Sequence, residues 1–109
     1  MIRDIKQDMV NEIQSELLRG EDLEEIKDRS GEIIDSHLPI YNNRIIEEWS
    51  SMPNDYDNRG AQEFGYEGEP DIIRLMSLDL YLFYSDLFSE AVAEVEQEIE
   101  EAEQEKINA

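Results

Sequence analysis

From Asp71 almost to the C-terminus, apolar side chains recur at steps of three and four: Ile72, Ile73, Met76, Leu80, Phe83, Tyr84, Leu87, Phe88, Ala91, Val95 and Ile99. That spacing gathers them on one side of an α-helix but would scatter them over both faces of a strand, so it constrains the fold more than any other feature. A single helix over 71–105 would be about 50 Å long. Pro70 and Asp71 suit its opening turn. Its first half is broad and aromatic enough to be the central core element. Its second half is nearly all acid and is expected to project beyond the core.

Shorter stretches repeat the same period. Ile2, Ile5, Met9, Ile13 and Leu17 predict a helix over about 2–19, with Gly20 as its stop. Asp22 is a good N-cap for a second helix over about 22–36, with Leu23, Ile26, Ile33 and Ile34 inward. Pro39 ends that helix and suits the first turn of a third, over about 39–50, which carries Tyr41, Ile45, Ile46 and Trp49. Residues 51–70, with Asn54, Asp55, Asn58, Gly60, Gly65, Gly68 and Pro70, read as an irregular loop pinned by Tyr56, Phe64 and Tyr66. Loops this long are uncommon in compact domains, so it is expected to be either functional or partly mobile. The expectation is a four-helix, all-α single domain over 1–109, with a long acidic C-terminal helix.

Charge narrows function. The chain holds 29 Asp and Glu against 9 Lys and Arg, a formal net charge of -20. Ordinary nucleic-acid binding needs the opposite sign, and anionic membranes would repel such a surface. Its natural partners are basic surfaces or cations. Disorder is argued against by the 39% of residues that are hydrophobic and fall in regular stripes. With no cysteine, disulfides, thiolate nucleophiles and Cys-based zinc sites are excluded. No stretch approaches 18 apolar residues, and the N-terminus begins an amphipathic pattern instead of a signal peptide, so a cytoplasmic protein is expected.

The acids are ordered. Asp4, Asp8, Glu12 and Glu16 stand at steps of four, as do Asp86, Glu90, Glu94 and Glu98, with Glu101 and Glu105 continuing the acid-rich end. Glu21, Glu25, Asp28, Glu32 and Asp35 alternate steps of four and three. Neighbours in such rows lie about 6 Å apart along a helix, and each like-charge pair costs about 0.2–0.5 kcal/mol. Arg3, Lys6, Arg19, Lys27 and Arg29 relieve part of that, but the last helix has only Arg74 and Lys106. Local stability does not call for this arrangement. DNA carries a phosphate every 3.4 Å along each strand, and carboxylates on rigid rods approximate that density. Spacing alone leaves two readings open: solvated faces that keep the protein soluble, or surrogates for phosphate.

Catalytic and metal motifs are missing. Asp55, Asp57 and Gly60 superficially suggest a calcium loop, but Arg59 and Tyr66 occupy positions where that loop needs oxygen ligands. His37 is the only histidine and reads as structural, at a helix end. Glu47 and Glu48 beside Trp49 would need a desolvating pocket to act as acid or base. No nucleophile elbow or phosphate-binding glycine loop is present. No enzyme activity, cofactor or metal is expected.

From about Asp22 onward the order of features resembles the Ocr family of phage anti-restriction proteins. Asp22-Leu23, Ile33-Ile34-Asp35, Pro39-Ile40-Tyr41 and Ile45-Ile46 look like that family's second and third helices. Asp71-Ile72-Ile73-Arg74-Leu75, Tyr81, Asp86-Leu87-Phe88 and Glu90-Ala91 look like its long last helix, once one residue is deleted. The similarity covers about 80 residues closely and the first helix by pattern only. It implies a helical homodimer, bent like B-form DNA, that occupies the DNA channel of type I restriction-modification enzymes in the host cytoplasm and protects phage DNA. It implies too that an apolar patch from the third and last helices makes the dimer; by position the candidates are Ile46, Trp49 and Phe88. Two departures stand out: Arg44 where the family carries an acid, and Phe88 in place of a tryptophan. Other nucleic-acid enzymes as targets, CRISPR nucleases among them, and an acidic assembly role remain as alternatives.

Overall fold

The computed structural model describes residues 4–56 and 71–108. Ile2, Arg3 and most of the expected loop, with Phe64, Tyr66 and Pro70, lie outside the described residues. Within them the chain is all-α: five helices and one 3-10 turn.

Helix α1 spans Ile5–Leu18, and the Asp4 carboxylate caps it by accepting the Gln7 N–H at 3.0 Å. Its end is built around Gly20, whose φ of +100° favours glycine. The Gly20 N–H donates to the Leu17 carbonyl at 3.1 Å and the Glu21 N–H to the Glu16 carbonyl at 3.2 Å, the bond pair of a Schellman motif.

The expected second helix is two. Helix α2 covers Leu23–Asp28, capped by Asp22 through the Glu25 N–H at 2.9 Å, and α3 covers Ser30–His37. Arg29 between them leaves helical geometry, at φ -99° and ψ 18°. Its guanidinium is turned back to Glu21 at 2.9 Å and Glu16 at 3.8 Å. Ser30 and Gly31, both weak helix formers, follow, and a Cβ on Gly31 would stand 3.7 Å from the Tyr81 hydroxyl. The break lets α3 lie close against the last helix.

The third expected helix starts later than predicted. Leu38, preceding Pro39, is extended at ψ 139°, as the proline ring demands, and Pro39-Ile40-Tyr41 form a connection instead of a first turn. Helix α4 covers Asn42–Ser51. Tyr41, expected in its apolar stripe, is consequently exposed. After Pro53 comes the 3-10 turn Asn54–Tyr56; the Tyr56 ring packs against Phe83 with centroids 5.2 Å apart, and its hydroxyl donates to Asp86.

Helix α5 runs from Ile72 to Asn108, 37 residues or about 55 Å. Asp71 caps it, accepting the Ile73 N–H at 3.1 Å. It is the central element. Helices α1, α3 and α4 pack on it, and α2 packs on α1. The core joins Ile5, Met9, Val10 and Ile13 of α1 and Ile26, Ile33, Ile34 and Ile45 of the short helices to Leu80, Tyr84, Phe88, Ala91, Val92 and Val95 of α5. Inside it, Asp79 is 2% exposed and accepts the Trp49 indole N–H at 2.9 Å. Burial along α5 stops after Val95, and Ile99 is already 38% exposed. The acidic end therefore projects beyond the core, as its composition predicts. The molecule measures 60 × 29 × 24 Å.

Candidate functional site

The carboxylate rows differ in how much of their charge reaches solvent. Steps of four advance 400° around a helix, so the row Asp4–Asp8–Glu12–Glu16 turns by about 120° from end to end. Asp4 faces solvent, but Glu12 meets His37 at 2.6 Å and Glu16 is held by Arg19 at 2.9 Å and Arg29 at 3.8 Å. Half of this row is thus spent on joining α1 to α2 and α3. His37, expected to be structural, sits in that contact at the last turn of α3.

The second row is split by the break at Arg29. Glu21 is partly buried in the Glu16–Arg29 cluster. Burial raises its pKa above the ordinary glutamate value, a hydrogen bond with Glu16 adds to this, and the nearby Arg29 charge opposes it. Glu25, Asp28, Glu32 and Asp35 are all exposed.

Helix α5 carries the densest array. Asp86 accepts the Tyr56 hydroxyl, Glu90 is exposed, Glu94 pairs with Lys6 at 3.5 Å, and Glu98 accepts the Gln14 amide at 2.9 Å. From Glu94 the steps to Glu98, Glu101 and Glu105 are four, three and four, which return almost to the same angle and make a straight row. A second row, Glu96, Glu100 and Glu103, lies about 200° away around the helix. Sequence spacing followed along one row at a time does not bring it out; the angle between rows does. Lys27 reaches Glu96 at 2.7 Å and Glu24 at 3.4 Å, and the Glu96 hydrogen bond raises the lysine pKa.

Cations offset little of this field. Lys6, Arg19, Lys27, Arg29 and Arg44 are all engaged with carboxylates, Arg44 with Glu47 and Glu48 at 3.6 Å each. Surface pairs of this kind are worth about 0–1 kcal/mol, so they organise the surface more than they stabilise it. The described stretches contain 25 acidic and 7 basic residues, a net of -18 over 60 Å, or about one net charge per 3.3 Å. A single DNA strand has one phosphate per 3.4 Å.

Of the three apolar candidates, Ile46 is exposed, Trp49 is half-buried and bonded to Asp79, and Phe88 is buried at 5% exposure within the single chain. They do not form one open patch. Of the exposed apolar side chains, Ile72 stands at the start of α5, Ile40 and Tyr41 on the connection before α4, Ile46 on α4, Leu18 at the end of α1 and Ile99 on the projecting part of α5. Leu38 shares a cleft with Arg74 and Ser77, and Trp49 meets Asp79, so the stretch from Leu38 to Trp49 packs beside the first half of α5.

Glu47 and Glu48 line a cleft of about 330 Å³ with Ile5, Met52, Phe83 and Leu87, and there they face Arg44. Among the described residues no cluster of acids or histidine is arranged to hold a metal ion, and no helix is long and apolar enough to cross a membrane. Asp55 is exposed in the 3-10 turn, while Asp57, Arg59, Gly60 and Tyr66 lie outside the described residues. No family model, no curated protein and no solved structure matches this chain.

Proposed function

We propose that this protein is a DNA mimic that inhibits type I restriction-modification enzymes by occupying their DNA-binding channel, and so protects phage DNA. The observation that carries the reading is the set of carboxylate rows on rigid helices, in a molecule whose net charge per unit length is close to that of one DNA strand and about half that of a duplex. A DNA-binding channel is lined by Lys and Arg, which gain affinity for a duplex by displacing its condensed counterions. The exposed acids Glu25, Asp28, Glu32, Asp35, Glu90, Glu98, Glu101 and Glu105 can engage the same side chains. They offer no phosphodiester bond to cleave. The rods suit the task because charge fixed on a helix need not be gathered from a flexible chain at the moment of binding.

Self-association belongs to the same reading. A homodimer would extend the charged rods in two directions, and Ile40, Tyr41, Ile46 and Ile72 are among the exposed apolar side chains that could serve it. Phe88 would require the core to open. Replacing Ile46 with Glu is expected to convert a dimer to a monomer by light scattering, without loss of helicity.

The decisive experiment is displacement of duplex DNA from a type I restriction-modification enzyme at two salt concentrations. Stoichiometric displacement that weakens steeply with salt supports the decoy. No displacement at micromolar protein would turn the reading toward another nucleic-acid enzyme or an assembly role.

A further inference from the structure

The projecting end of α5 carries an apolar strip as well as charge. Ile99 and Ala102 continue the line of Val95 past the core, and both are exposed. Taking Glu94 as the origin, Val95, Ile99 and Ala102 fall at about 80–140° around the helix, the row through Glu98, Glu101 and Glu105 near 0°, and the row through Glu96, Glu100 and Glu103 near 200°. The strip thus lies between two rows of carboxylates. Helix α1 adds to it. Leu18 is 90% exposed and stands one turn past Gln14 on nearly the same face; Gln14 is bonded to Glu98. Leu18 therefore stands one helical turn beyond the α1 residue that meets the start of the projection.

We infer that this distal strip is a docking surface for a basic amphipathic helix of a partner protein, which would set an apolar edge against Leu18, Ile99 and Ala102 and its flanking Lys and Arg against the two carboxylate rows. Charge decides the occupant. A second copy of this chain would bring identical acid rows against these ones, and like charges flanking a helical seam oppose pairing. A helix with apolar residues at steps of three and four, bordered by cations, satisfies both features at once. The apolar part is small, so both contributions are needed. This goes beyond the decoy reading, since a surface imitating only phosphates has no use for a solvent-exposed leucine at its acidic end.

The test uses the full chain and two synthetic helix-forming peptides of identical Leu and Lys composition, one with the leucines in a single stripe and one scrambled to have none. Binding is followed by fluorescence anisotropy at low and high salt. The striped peptide is expected to bind at least tenfold more tightly, with the preference persisting when salt weakens both. The double variant Leu18→Ser with Ile99→Ser should lose the preference while keeping wild-type helicity, and Ala93→Ser, exposed on another face of α5, should retain it. Equal affinity for the two peptides, no binding of either, or a preference that survives the double variant would each overturn the inference. None of these outcomes depends on restriction-enzyme inhibition, so the two readings fail separately.

Discussion

Asp79 is a carboxylate held in a core otherwise built of aliphatic and aromatic side chains, and the Trp49 indole is one of the groups that holds it there. Trp49→Phe keeps an aromatic ring but removes that donor, and is expected to cost about 1–3 kcal/mol in chemical denaturation. A much smaller loss would mean the remaining environment satisfies Asp79 alone. Glu21 makes the opposite case. Because burial and Glu16 raise its pKa, the folded chain holds this proton more tightly than the unfolded chain does. Its contribution to stability therefore falls as pH rises from the ordinary value of 4.5 through the raised value, and returns on acidification. Thermal melts between neutral and mildly acidic pH should show Glu21→Gln gaining less on acidification than the wild type; parallel curves would place the effect elsewhere.

At the scale of elements, α5 divides into a half that holds the fold together and a half that does not. Described residues after Glu98 contribute nothing to the buried core, and Gln14–Glu98 is the last hydrogen bond or ion pair between α5 and another helix among the described residues. Deleting 99–109 is expected to change stability by less than about 1 kcal/mol. If the proposed decoy role holds, it should nonetheless weaken competition with DNA, and make the salt dependence of target binding shallower by about 0.7 in log–log slope for each ion pair that the deletion removes, the value for a single strand of similar charge density. A truncated chain that inhibits as well as the full one would move the active surface to α2, α3 and the first half of α5. The α1–α2 corner is a second element-level dependence. Gly20→Ala places a side chain at φ +100° and should cost about 1 kcal/mol.

Across the whole molecule the same charge acts in two directions. Self-repulsion of a net -20 opposes the compact state, so added salt should raise the melting temperature. Under the proposed decoy role, salt should weaken binding to the target over the same range, because the target's cations are screened from the carboxylates. The same proposal, with inhibition spread over many acids, predicts that removing any two or three exposed carboxylates costs little. A single Glu→Ala that abolishes inhibition would indicate a localised hot spot instead.

Periodicity alone determined the all-α class, the long last helix, the inward faces of Ile5, Met9, Ile13, Ile26, Ile33, Ile34, Leu80 and Tyr84, and the stop at Gly20, since each follows from local geometry and from which face is apolar. The projection of the acidic end was legible for the same reason. Tertiary contacts decided the rest. The turn at Arg29 depends on partners on α1 and on the approach of α3 to Tyr81, which no local pattern contains. The late start of α4 follows from a proline whose ring could equally have opened a helix. Which acids remain free was settled by packing: Glu12 and Glu16 occupy the same periodic row as Asp4, but rotation of that row carries them to His37 and Arg29. Position in a row is a property of one helix, whereas the charge a carboxylate presents depends on what the neighbouring helices place beside it.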